Sequence, residues 1–159
     1  MITIEQIKES FEKNPEWQLL DLLKTFFNEQ QENILKKENL DEIRTVFDLA
    51  ETEISKQKDP ILSYEFLIEL CQKSLKDIID IKQVKRIYKN AIEAGVHALT
   101  AFMELENLTE EDYLYCLKKC EEFDTGNRSA RFYAEYGRIL THIKRKNLIL
   151  IKLKKLYNA

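Results

Sequence analysis

Apolar residues recur along this chain at spacings of three and four, the interval that lines up side chains on one face of an α-helix. Trp17, Leu20, Leu23, Phe27, Gln30 and Ile34 trace one mostly apolar face, and Ile43, Val46, Phe47, Ala50 and Ile54 trace another. Tyr64, Leu67, Ile68, Cys71, Leu75 and Ile78 form a third, and Val84, Ile87, Tyr88, Ala91, Gly95, Leu99 and Phe102 a fourth. Tyr113, Cys116, Leu117 and Cys120 point inward on a further helix, and a last helix runs from about Ser129 with a break expected at Asn147.

Start signals precede these stripes. A short polar side chain followed three residues later by Glu, Gln or Asp satisfies amide donors that a helix N-terminus leaves without partners. Thr3 with Gln6, Asn39 with Glu42, Asp80 with Gln83 and Thr109 with Asp112 have that form. Asn14-Pro15 and Asp59-Pro60 mark two more starts, because proline at the first helical position gives up only an amide that had no partner. The clearest loop is Asp124 to Asn127. Short connections between helices favour antiparallel neighbours. The expected architecture is therefore an all-α antiparallel bundle of about six to eight helices, one helical domain over residues 1–159. Echoes at spacings of 41 and 45 suggest helical-hairpin repeats: Val46-Phe47 with Ala50, Ile87-Tyr88 with Ala91, and Phe132-Tyr133 with Tyr136.

Composition sharpens this picture. Three Gly and two Pro in 159 residues leave few sites for tight turns, and 44% hydrophobic content supports a core without disulfides or metals. An odd set of three cysteines without framework spacing fits reduced thiols, and the absence of a long apolar run fits a cytoplasmic protein. The net charge of −3 conceals an imbalance. Residues 128–159 hold nine Arg and Lys against Glu135 alone, a balance of +8, whereas residues 1–127 hold 16 basic and 27 acidic residues, a balance of −11. Such asymmetry points to an interaction surface.

Three constellations bear on catalysis or metal binding. Cys116 and Cys120 sit one turn apart, but zinc needs two further ligands, and Cys71, His97 and His142 lack ligand spacing. Glu93 and His97, four apart, read as a local pair on a helix face. Arg138 and His142, flanked by Tyr133 and Tyr136 and preceded by the Asn127-Arg128 turn, combine a charge stabiliser with a proton carrier. This pair resembles the arginine-to-histidine motif of HEPN-type helical ribonucleases, which implies RNA cleavage; that motif places about four to six residues between the two, and here only Ile139, Leu140 and Thr141 intervene. No phosphate loop, nucleophile elbow or zinc-protease helix accompanies it, so the expectation is a non-enzymatic protein with no cofactor and no metal.

The C-terminal stretch KRKNLILIKLKKLY, residues 144–157, carries the sharpest functional signal. One reading is nucleic-acid binding, with Arg128, Arg131, Arg138, Lys144, Arg145 and Lys146 on phosphates and aromatic residues nearby for stacking. A membrane surface is disfavoured, because residues 148–151 are apolar all the way round a helix. The leading expectation is a protein-interaction or assembly module. Leu148, Ile149, Leu150, Ile151, Leu153, Leu156 and Tyr157 would then be covered, either by earlier acidic helices of the chain or by another subunit. In that reading the lysines reach the acidic rims formed by Glu104, Glu106, Glu110, Glu111, Glu121 and Glu122. The partner is a protein or a second copy of the chain, with nucleic acid as the alternative.

Overall fold

The computed structural model describes residues 1–157, the last of them in its backbone only. The protein is all-α: the described residues form nine helices and no strand, packed pairwise as a bundle. Two compact units follow one another, Met1–Val96 and His97–Ala159.

The first unit contains α1 (Ile4–Lys13), α2 (Glu16–Glu29), α3 (Gln31–Lys36), α4 (Leu40–Ile54), α5 (Ile61–Gln72) and α6 (Ile81–Glu93). Thr3 and Gln6 form the expected capping box at α1. The stripe on α4 is fully internal, with Ile43, Val46, Phe47, Ala50 and Ile54 all at 0% exposure. Phe27 meets Phe47 edge to face at 6.3 Å and meets Phe26 in the same manner at 5.1 Å, the arrangement that aromatic quadrupoles prefer.

Several local expectations are corrected. Pro15 and Pro60 sit at the cap positions of α2 and α5, one residue earlier than the first-turn assignment, because their extended or bridging backbones enter the helix without needing an N–H. Trp17 is 64% exposed; the buried face of α2 is Leu19, Leu20, Leu23, Phe26 and Phe27. The α2 stripe does not continue through Ile34 in one helix, since Gln30 leaves helical geometry and starts α3. Asn39 precedes α4 in the left-handed region, φ +58°, and its amide reaches Gln30 Oε1 at 3.2 Å without capping the helix. Gln83 leaves Asp80 to cap α6 alone and hydrogen-bonds Asp48 and Glu51.

Residues 80–102, where the apolar spacing predicts one continuous helix, form two, Ile81–Glu93 and Leu99–Met103. Gly95 adopts φ +103°, a conformation open chiefly to glycine, and α6 ends just before it, at Glu93 with Ala94 as its cap. Glu93 and His97 consequently do not share a helix face.

Glu51 on α4 is the main buried charge of this unit. Arg86 donates to both of its oxygens, at 2.7 and 2.8 Å, and Gln83 donates at 3.0 Å. Burial pushes the Glu51 carboxyl up, but the bonds from Arg86 and Gln83 outweigh it and hold the group below its ordinary 4.5. The native state thus keeps Glu51 ionised where the unfolded chain would take up a proton. Its contribution is complete above the unfolded pKa and disappears as pH falls through the lower folded value. Glu51→Gln should cost about 1–3 kcal/mol at neutral pH and flatten the acid limb of stability, read by urea titration across the acid range. An unchanged pH profile would mean that this pair does not link folding to protons.

The second unit contains α7 (Leu99–Met103), α8 (Glu110–Phe123) and α9 (Ala130–Tyr157). α8 opens with the expected Thr109–Asp112 capping box. At α9, Ser129 Oγ accepts from the Phe132 amide at 3.1 Å, the expected start. Asn147 does not break the helix, which runs unbroken for 28 residues. Leu99, Phe102, Met103, Cys116, Cys120, Phe132 and Ile139 are the buried apolar residues of these three helices.

Candidate functional site

α9 packs along α8 and against α7, joined to α8 by the short loop of residues 124–129. The loop is clamped by Arg128, whose Nε donates to the Phe123 carbonyl at 2.8 Å while its guanidinium lies 5.7 Å from both the Phe123 and Phe132 rings. Tyr133 closes the same turn by donating to Asp124 at 2.8 Å. With that end fixed, the two helices run antiparallel, and Glu110 in the first turn of α8 comes beside His142 and Lys146 of α9.

The six cations expected to track phosphates divide into two groups. Arg131 makes a two-pronged pair with Glu104, and Arg138 donates to Glu135 at 2.8 Å and to the Met103 carbonyl. Lys146 pairs with Glu110 at 2.9 Å, and Arg128 holds the loop. Those four act inside the unit. Lys146 and His142 together hold the Glu110 carboxyl below its ordinary range, as Arg131 does for Glu104. Lys144 and Arg145, with Lys152, Lys154 and Lys155 further on, make no hydrogen bond or ion pair among the described residues.

Arg138 and His142 do not converge as a catalytic pair. Arg138 borders an open depression of about 540 Å³ that is also lined by Glu104, Glu106, Tyr113 and Glu135, but its guanidinium is occupied by Glu135 and the Met103 carbonyl. His142 lies outside that lining; its ring stacks on Tyr113 at 3.8 Å and its Nε2 is 3.1 Å from Glu110. The cysteines are packing groups. Cys116 and Cys120 are buried, the Cys120 sulfur lies 3.3 Å from the Met103 sulfur, and burial pushes its thiol up to about 11. Cys71, in the first unit, is pushed up by burial to about 12.

Beyond Lys146 the picture changes. Leu148, Ile149, Leu150, Ile151, Leu153 and Leu156 are between 45% and 77% exposed. The Tyr157 side chain lies outside the described residues. The earlier acidic helices therefore do not enclose this segment, which corrects one of the two coverings expected for it. The physical reason is length: at about 1.5 Å per residue, the 28 residues of α9 outrun the 14 of α8 by roughly half their span. Six half-exposed aliphatics amount to a patch on the order of 500 Å², near the largest that a typical monomer shows.

A feature missed in the sequence reading ties the two halves of α9 together. Phe132, Tyr136, Ile139, Ile143, Lys146, Leu150 and Leu153 follow at alternating intervals of four and three, the repeat of a coiled-coil seam. Phe132 and Ile139 are buried and Tyr136 and Ile143 half-buried, whereas Leu150 and Leu153 stand open. The seven-residue spacing was the available signal. It was hidden because Leu148 and Ile151 make the segment look apolar on every side.

Among the described residues, no helix is long and apolar enough to cross a membrane, and no three His, Cys, Asp or Glu are grouped to hold a metal. No protein family, no curated protein and no solved structure matches the chain.

Proposed function

We propose that the protein is a non-enzymatic helical interaction or assembly module that binds a protein partner through the last three turns of α9. The observation behind this reading is the exposed aliphatic set of residues 148–156 on a helix whose earlier seam is already packed. Fully burying such a side chain contributes about 1.5–3 kcal/mol, whereas an exposed ion pair contributes about 0–1 kcal/mol, so the aliphatics dominate what this arm can gain by docking.

A chain ending at Lys146 tests this. Its thermal midpoint should stay close to that of the full chain, because the removed side chains are exposed, while association measured by light scattering or partner titration is lost. Unfolding of the shortened chain would instead make the arm part of the bundle's own support.

The five cations that have no ion pair among the described residues favour a second reading, binding to a nucleic acid. Contact with phosphates predicts binding of labelled RNA at low salt that weakens steeply as salt rises. Absence of binding at low salt removes that reading. The intramolecular pairing of Arg128, Arg131, Arg138 and Lys146 leaves fewer groups for phosphates than the sequence suggests.

A further inference from the structure

We propose that the open part of the α9 seam binds an acidic amphipathic helix of a partner protein, which takes up the face of α9 where α8 leaves off. This deepens the interaction reading and rests on it, adding the chemistry of the partner.

Continuity carries the first step. Leu150 and Leu153 extend the line of Phe132 and Ile139, whose burial depends on helices laid along α9. A seam at this spacing is complementary to another helix, since each side chain fits a hole between residues of a facing helix. An extended polyanion or a flat surface makes no use of that spacing.

Charge carries the second step. Lys154 edges the open seam beside Leu153, and Lys152 and Lys155 stand further round the same turns; residues 136–157 hold no acid, and all three lysines are unpaired among the described residues. Two copies of the arm laid together would bring two unrelieved excesses of positive charge into contact, a like-charge arrangement that suppresses the wrong partner. The packed half shows the complementary solution within this molecule: α8 presents three acids in its first turn, and one of them, Glu110, receives both His142 and Lys146. A partner helix built in the same manner, with Leu or Ile toward the seam and Glu or Asp at its edges, meets both requirements. Leu148 and Ile151, three residues apart on the other side of α9, lie outside the reach of one helix, so the natural partner has a second surface to reach them.

The test uses the full chain and a designed peptide of about three heptads, with Leu at the seam positions and Glu at the flanking positions, titrated by calorimetry. A control peptide carries Lys in place of Glu. The Glu peptide should bind, more weakly as salt rises, and the Lys peptide should not. Leu153→Asp should weaken binding by about tenfold or more, as should the triple exchange K152E/K154E/K155E, with far-UV circular dichroism unchanged. The triple exchange should also gain binding to the Lys peptide, a rescue that simple misfolding does not produce. Failure of the Glu peptide to bind, or indifference to the charge exchange, overturns the acidic-helix proposal. If light scattering then shows a dimer that Leu153→Asp dissolves, the interaction reading stands with a second copy as occupant. If Leu153→Asp changes no association of any kind, or the arm takes up RNA or anionic vesicles alone, the interaction reading falls with it.

Discussion

Phe47→Ala is expected to destabilise the first unit by about 3–5 kcal/mol, the range for removing a large aromatic side chain from a packed interior. Phe47 has no exposed surface and meets Phe27 edge to face, so truncation removes its transfer energy and leaves its neighbours facing a cavity. Urea unfolding followed by circular dichroism should show a lower midpoint with an unchanged slope. Leu35→Ala is the matched control: this side chain is 83% exposed, and its loss should change stability by no more than about 0.5 kcal/mol. Equal effects at the two positions would mean that the α4 stripe is not the centre of the core.

The second large effect compares two residues on one helix. Ile139 and Leu153 occupy equivalent places in the seven-residue repeat of α9, two heptads apart, yet Ile139 is at 0% exposure and Leu153 at 45%. Ile139→Ala should cost about 2–5 kcal/mol, whereas Leu153→Ala should leave the isolated protein within about 0.5 kcal/mol of the parent. Adding the acidic peptide should reverse the ranking for Leu153 alone, through lost binding. A loss of stability at Leu153 comparable to that at Ile139, without any partner, would show that the arm is already buried in solution.

Much of the helical layout was legible because its signals are local. The boxes at Thr3–Gln6 and Thr109–Asp112 each lie within one turn, and the α4 stripe needs only one helical period to declare itself. The break at Gly95 was not legible from periodicity. The apolar spacing continues from Ala91 through Leu99, and only the backbone angle at Gly95 shows where α6 stops. Asn39 misled for a related reason: its side chain found Gln30, nine residues away, in preference to the helix start beside it.

The surface was legible in its residues and illegible in its pairing. The excess of cations after residue 128 is plain in the sequence, but Glu104 meets Arg131 across 27 residues and Glu110 meets Lys146 across 36. Which acid neutralises which base is a property of how α8 lies on α9. The same holds for the arm's exposure, which follows from the unequal lengths of two helices and not from the arm's own composition.

Amide hydrogen exchange along α9 separates a packed helix from an open docking arm. An exposed run of about 11 residues is marginal as a helix without packing, whereas the seam from Phe132 to Ile143 is held by its neighbours. In the protein alone, the amides of 132–143 should exchange slowly and those of 148–156 quickly; saturating acidic peptide should slow the second group while leaving the first unchanged. Slow exchange at 148–156 without any partner and independent of protein concentration, or no slowing when the peptide is bound, would contradict a docking role for the arm.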